Sequence, residues 1–296
     1  MAKRTIEQLN LLDNFLFGKM MSDPKVGEEF SRILVRIILG RDYEHLKVVP
    51  QKIFYGADTI LHGARLDVYI EQDEITEVNA ENTVIDIEPE QKSDTESIQS
   101  IPKRVRFYHS KIDQGCMNSG ENYNQLKCVY VIMIMPFDPF DRNRMIYTIK
   151  NSCVEEPDME YEDGARTMFL YTHGEKTEGV SEGLKQLLTF MEKTRRENAV
   201  NEDLKIIQNM VDEIKKNQEV SIEYMKIHER EEMLQRIARR EGHREGHREG
   251  EHDLTKIVIR ISEGATKEQL IDEGVDKETI ALAMQIIDKI SLSLSK

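Results

Sequence analysis

Val129-Tyr130-Val131-Ile132-Met133-Ile134-Met135 is an unbroken apolar run, and it constrains the fold more than any other segment. Its length and β-branched content suit a strand buried on both faces. Such a strand belongs inside a sheet flanked by helices, so the rest of the chain must provide partner strands and amphipathic helices.

The candidates are visible on either side of the run. Leu66, Val68 and Ile70 alternate with Arg65, Asp67, Tyr69 and Glu71, the pattern of a half-buried strand. After a polar turn, Val84-Ile85-Asp86-Ile87-Glu88 reads as its partner, ending at Pro89, which has no N–H for a ladder. Met145 to Ile149 and Thr167 to Tyr171 are further strands. Near the start, Leu11 to Met21 and Glu28 to Leu39 read as two helices around Asp23-Pro24, with Gly40 as a C-cap. Ile101 to Ile112 is expected as a helix with Pro102 in its first turn and Ile101, Val105, Tyr108 and Ile112 facing inward.

From about residue 180 only helical patterns remain. The organisation predicted is a domain over 1–180, a helical segment over 181–252 and a small helical module over 253–296. A long polar helix is expected from Ser221 to about Glu251, ending in the four-residue repeat Arg240-Glu241-Gly242-His243-Arg244-Glu245-Gly246-His247-Arg248-Glu249-Gly250. At 3.6 residues per turn the glycines stay stacked as a bare stripe. Three glycines disfavour an isolated helix by up to about 1 kcal/mol each, so packing against another helix is expected, and with it a homo-oligomer formed through the C-terminal helices. A linker is the other reading. Beyond the repeat, Leu254 to Ile261 reads as a separate short helix, followed by a capping box at Thr266-Lys267-Glu268-Gln269. No basic recognition helix is evident there, so a small packing module is expected rather than a helix-turn-helix reader.

Composition narrows the chemistry. The formal charge of −14 is not the basic footprint usual for nucleic-acid binders, although a local cationic strip or bound divalent cations operate within an acidic whole. Three widely separated cysteines fit neither a disulfide framework nor a zinc site. The start, Met1 to Glu7, turns acidic before any apolar run, and no segment is apolar for long enough to span a bilayer. A cytoplasmic protein with no membrane association is expected. P-loop, H-E-x-x-H and G-x-S-x-G motifs are absent.

Two groups of residues carry possible chemistry. Asp67 lies mid-strand on the face opposite Leu66 and Val68, Glu88 ends the next strand, and Glu90 shares its face if extended geometry continues. Carboxylates on neighbouring strands aim hard oxygen ligands at one point, which suits Mg²⁺, and a nearby lysine would orient the attacking water. Strand carboxylates are more often simply a solvated face. The second group is the helix bearing Lys103, Arg104, Arg106, His109 and Lys111, cations suited to neutralising phosphates without reading bases.

In order along the chain, Gly63-Ala64-Arg65-Leu66-Asp67-Val68-Tyr69, Asp86-Ile87-Glu88, Pro102-Lys103-Arg104-Val105-Arg106-Phe107-Tyr108, Tyr130-Val131-Ile132-Met133-Ile134 and Phe137-Asp138-Pro139-Phe140 resemble the PD-(D/E)XK nuclease family transposases, a group related to the Rpn recombination-promoting nucleases. The resemblance covers about Leu11 to Gly174. It implies an α/β, restriction-endonuclease-like core, a mixed sheet flanked by helices, here with an all-helical C-terminal extension. It also implies Mg²⁺-dependent DNA cleavage, with Mn²⁺ able to stand in, and Asp67 and Glu88 as metal ligands. Lys103, Arg104, Arg106, Tyr108 and Lys111 become the expected DNA-binding set, Arg104 and Tyr108 also supporting the site.

The chain departs from that pattern at one position. The family's second strand usually carries E-x-Q or E-x-K, whereas Glu88-Pro89-Glu90 places an acid there. The register Glu90-Gln91-Lys92 restores an E-x-K and makes Glu90 the alternative ligand. Glu88 is preferred because Asp86-Ile87-Glu88 matches the family better, with Gln91 or Lys92 supplying the missing polar group. A catalytically degenerate relative, acting as a DNA-binding or self-associating protein, is the alternative expectation.

Overall fold

Asp13 starts the first helix by accepting the Phe15 and Leu16 amides at 3.0 and 3.5 Å, which satisfies two donors with no intrahelical partner. The computed structural model describes residues 5–43, 46–50, 52–54, 64–65, 68–72, 83–91, 95–118 and 120–294. Helix α1 spans Asn14–Ser22 and α2 spans Gly27–Leu39. The two approach closely at Gly27, where a Cβ would run into the Met21 carbonyl. Gly40 closes α2 in the left-handed conformation at φ 70°, as its sequence position predicts.

Strand β1 (Leu46–Pro50) follows, then β2 (Ile53–Phe54) and β3 (Ala64–Arg65), which pair only with each other. Next come β4 (Val68–Gln72), β5 (Thr83–Pro89), helix α3 (Thr95–Cys116), β6 (Cys128–Met135), β7 (Ile146–Ile149) and β8 (Ala165–Tyr171). Six of the strands form one mixed sheet in the order β1-β4-β5-β6-β8-β7. Strand β4 runs antiparallel to both β1 and β5, β5 and β6 are parallel, β6 and β8 are parallel, and β7 returns antiparallel on the edge. The apolar run becomes β6, third from one edge, with Val131, Ile132, Met133, Ile134 and Met135 wholly buried.

The alternation along each strand divides the interior into two cores. Ile70, Ile85, Ile87, Ile132, Ile134 and Leu170 face one way, toward α1 and α2 and two later helices, α4 (Glu182–Glu192) and α5 (Glu202–Lys216). Val84, Val131, Met133, Met135 and Phe169 face the other way, toward Ile101, Val105 and Ile112 of α3.

Three expectations change. Strand β4 is not half-buried, because Tyr69 and Ile70 lie on opposite faces and both are covered, at 4% and 0% exposure. Pro102 is not in the first turn of α3, which begins at Thr95. A proline that far inside a helix removes one backbone bond and disfavours it by about 3 kcal/mol, so α3 depends on its packed Ile101, Val105 and Ile112 face. The polar helix and the expected short helix after it are one element, α6 (Gln218–Ser262), which passes through the glycine repeat without a break.

The chain divides into two compact units, Met1–Tyr224 and Met225–Lys296, with the boundary inside α6. The first therefore continues past residue 180: Leu184, Leu187, Leu188, Leu204, Ile207 and Val211 enter the same core as α1 and α2. In the second unit, Ile257 of α6 packs with Leu270 of α7 (Lys267–Asp272) and with Ile280 and Ala283 of α8 (Lys277–Leu294). Thr266 and Gln269 form the predicted capping box. The protein is thus an α/β chain with a six-stranded mixed sheet and an all-helical C-terminal region. Among the described residues no helix is long and apolar enough to cross a membrane.

Candidate active site

Strand β5 places three side chains in a row on the α3 face, Val84, Asp86 and Glu88, because every second residue shares a face. The last two are acids in the most enclosed layer of the sheet. Asp86 is wholly buried and Glu88 is 7% exposed. They are therefore not members of a solvated strand face. A carboxylate removed from water in this way is costly unless it is hydrogen-bonded, ion-paired or metal-bound, which makes this pair under one helix the candidate site.

Pro89 ends β5 but not its pairing. The Glu90 amide donates to the Ile134 carbonyl at 2.8 Å, so the parallel alignment with β6 carries one residue further. Glu90 thereby also reaches α3, where Arg104 Nη2 donates to its Oε2 at 2.7 Å. Both side chains are largely covered, Glu90 at 14% and Arg104 at 32% exposure. Burial works against the Arg104 charge, but the Glu90 bond and the nearby Tyr108, Glu90 and Glu88 outweigh it and hold the guanidinium above its ordinary pKa. Arg104 is thus a fixed cation over an acidic row, and Tyr108, half-buried one turn along, stands beside it.

On the other side of β5, Tyr69 of β4 is the cross-strand partner of Asp86. Its hydroxyl lies 3.5 Å from Cys116 Sγ near the end of α3, and burial, with that contact, pushes the phenol far above its ordinary pKa. Tyr69 acts as a neutral wall beside the acids.

The site expected from sequence is only partly within the described residues. Asp67 and Lys92 lie outside them. Glu88, Glu90, Arg104 and Tyr108 are brought together. Lys103 and Arg106 are exposed and point away from this group, since residues two apart on a helix do not share a face. Lys111 lies over the Phe107 ring, 5.5 Å from its centroid. The helix's cations therefore point in several directions rather than forming one strip. Asp86 belongs to the acidic row but was not singled out as a site residue from sequence. Its even spacing from Glu88 was the available signal.

Among the described residues no group of three or more His, Cys, Asp or Glu side chains is gathered to hold a metal. The donor chemistry nonetheless suits Mg²⁺, which takes hard oxygen ligands and commonly needs one or two protein carboxylates, its remaining positions going to water and phosphate. Among the described residues Glu88 is the buried carboxylate of this kind at the end of β5.

Asp138, in the fifth block of the family resemblance, has a structural role. It accepts the amides of Phe140, Arg142 and Asn143 at 2.9, 2.8 and 2.6 Å and the Tyr147 hydroxyl at 2.8 Å, and so shapes the loop after β6. Comparison of the chain with known protein families, with curated proteins and with solved structures finds no match.

Proposed function

We propose that this chain is a Mg²⁺-dependent DNA endonuclease with a restriction-endonuclease-like PD-(D/E)XK core, of the transposase or recombination-promoting type. The observation that carries the reading is Glu88, an acid 7% exposed on the inner face of β5, beside the Glu90–Arg104 pair. The order of β4, β5, α3 and β6, antiparallel and then parallel across β5, gives further support.

In this proposal Glu88 and Asp67 hold the cation. Asp67 lies outside the described residues and enters the proposal from its sequence block alone. When bound, Mg²⁺ supplies positive charge that lowers the pKa of water and stabilises charge growing on the phosphate. Arg104 keeps Glu90 turned toward α3, which favours Glu88 over Glu90 as the ligand. Gln91 or Lys92 supplies the polar group that positions the attacking water. DNA approaches over α3, where Lys103, Arg106 and Lys111 meet phosphates.

Nicking of supercoiled plasmid in Mg²⁺ tests the reading. Wild type should nick, EDTA should stop it, and Glu88→Gln or Asp67→Ala should lower the rate by roughly 100-fold or more, as expected when a cation loses a ligand. Equal nicking by wild type and both variants would sink the proposal.

The Glu90–Arg104 pair favours a second reading. An acid occupies the position where the resembled family carries an amide or ammonium, and it is held there by an ion pair. A degenerate nuclease fold that binds DNA or self-associates fits that substitution. DNA binding by wild type with no nicking in Mg²⁺ or Mn²⁺ would establish it.

A further inference from the structure

The flank of α3 away from Arg104 borders a cavity of about 400 Å³ that lies outside the Glu88, Glu90 and Arg104 group. That volume is within the range of small-molecule sites, which are mostly apolar with a few polar groups fixing orientation. Thr167 and Phe169 of β8 form its floor, and Val105, Arg106 and His109 of α3 form one wall. Phe140 closes another side. Its ring meets Phe169 edge-on with centroids 5.1 Å apart, and meets Tyr147 in the same way at 5.0 Å. The Asp138 hydrogen bonds hold the loop that carries it.

Charges of both signs surround the cavity, with Asp163 acting on His109 and Lys150 near Glu162. Asp163 accepts from Asn151 Nδ2 at 2.6 Å and from the Ala165 amide at 3.0 Å, and Glu162 pairs with Arg166. Arg106 makes no ion pair among the described residues, and Lys150 lines the cavity as well. The cavity therefore has aromatic walls and two cations. His109 Nε2 and Thr167 Oγ1, 3.0 Å apart, place a polar pair among the apolar walls. A ligand seated there meets apolar rings on one side and cations on the other, as the base and phosphate of a nucleotide would.

We infer that this cavity binds a nucleotide unit, with its base against Phe140 and its phosphate at Arg106 and Lys150. Aromatic side chains stack bases of any sequence, and arginine forks match phosphate oxygens. The cavity and the acidic row share one cross-strand register: Phe169 pairs with Met133, and Met133 with Glu88. Two strand spacings separate Phe169 from Glu88, about 10 Å, so an unpaired strand could occupy both places within a short stretch. The inference rests on the nuclease reading for this in-strand source of the nucleotide, and not for the binding itself.

Calorimetric titration of the full chain in EDTA tests it without any cleavage. The probes are dAMP, adenosine, inorganic phosphate and a short oligo(dA). Saturable binding of dAMP or of the oligonucleotide is expected, with adenosine and phosphate each at least about tenfold weaker because each lacks half of the recognised unit. Tight oligonucleotide binding with weak dAMP assigns the site to a strand, and equal binding per nucleotide assigns it to the free nucleotide. Arg106→Ala should weaken binding about tenfold, and Phe140→Leu, which keeps an apolar side chain in the loop, should weaken it as well. Glu88→Gln, which lies outside the cavity, should bind dAMP as wild type does even if the plasmid assay fails, so the two readings fail separately. Absence of saturable binding by folded protein, phosphate binding as tightly as dAMP, or wild-type affinity in Arg106→Ala would each overturn the inference.

Discussion

Arg104 Nη2 on α3 and Glu90 Oε2 just past β5 are 2.7 Å apart, and this ion pair joins the helix to the end of the strand that carries Asp86 and Glu88. The pair fixes where Glu90 goes and keeps a cation above the acidic row. In the proposed nuclease its two members have opposite consequences: Glu90 adds negative charge where a phosphate would come, and Arg104 offsets it.

Glu90→Gln should therefore raise Mg²⁺-dependent nicking, by about tenfold, because it removes a like charge beside the incoming phosphate while the amide oxygen still accepts from Arg104. A rate unchanged or lowered in Glu90→Gln, measured against wild type at one protein concentration, would count against this role.

Arg104→Ala leaves Glu90 largely covered without the guanidinium. We expect a loss of roughly 2 kcal/mol, below the range for fully buried pairs because both side chains keep some access to water. Urea unfolding of the variant checks the value, and Arg104→Ala combined with Glu90→Gln should recover part of it. Full additivity of the two substitutions would show that the pair is not coupled.

Asp138 is held below the ordinary carboxylate range: burial opposes its charge, but the Phe140, Asn143 and Arg142 amides and the Tyr147 hydroxyl outweigh that cost. A carboxyl with a depressed folded-state pKa adds stability above its unfolded pKa, near 3.9, and that contribution disappears as pH falls through the folded value. Asp138→Asn should therefore lower the melting temperature at pH 7 and matter progressively less below about pH 4. It should also loosen the Phe140 loop and weaken nucleotide binding. A melting-temperature deficit independent of pH would contradict the assignment.

His109 has the opposite pH signature. Burial lowers its pKa, and the Asp163 charge only partly restores it. The unfolded chain then takes up the proton first, so stability should fall as pH drops below about 6.5 and stop falling once the folded-state pKa is passed. In His109→Gln that acid-side loss should shrink, which melting curves at pH 7.5 and 5.5 would reveal. Direct titration of the ring by NMR gives an independent reading: a midpoint above 6.5 would refute the buried neutral imidazole.

Gly242 and Gly250 lie inside α6, and a Cβ at either position meets nothing within 4 Å. Replacing both by alanine should stabilise the helix by up to about 1 kcal/mol each, seen as a higher thermal transition by circular dichroism. If the glycine stripe instead packs against α6 of a second copy, the same double variant should reduce the molar mass in solution, and sedimentation would detect it.

The sequence by itself determined the strands β5, β6 and β8 and several helix caps, because their signals are local, but not β1, the start of α3 or the full length of α6. The length and β-branched content of Val129 to Met135 mark a buried strand, and Gly40 and Thr266 act within a few residues of themselves. The acidic pair was legible only as a pattern, since 55 acidic residues give many strand carboxylates and spacing cannot tell a solvated one from a buried one. Tertiary structure decided that point, by covering β4 and β5 on both faces and leaving Glu88 beneath α3. It also decided where the helix cations point, since Arg104 and Arg106, alike in sequence, end on opposite flanks. The cavity shows the same limit most clearly. Its walls come from α3, from β8 and from the loop after β6, and residues so far apart in the chain meet only because the sheet order β6-β8-β7 brings them together.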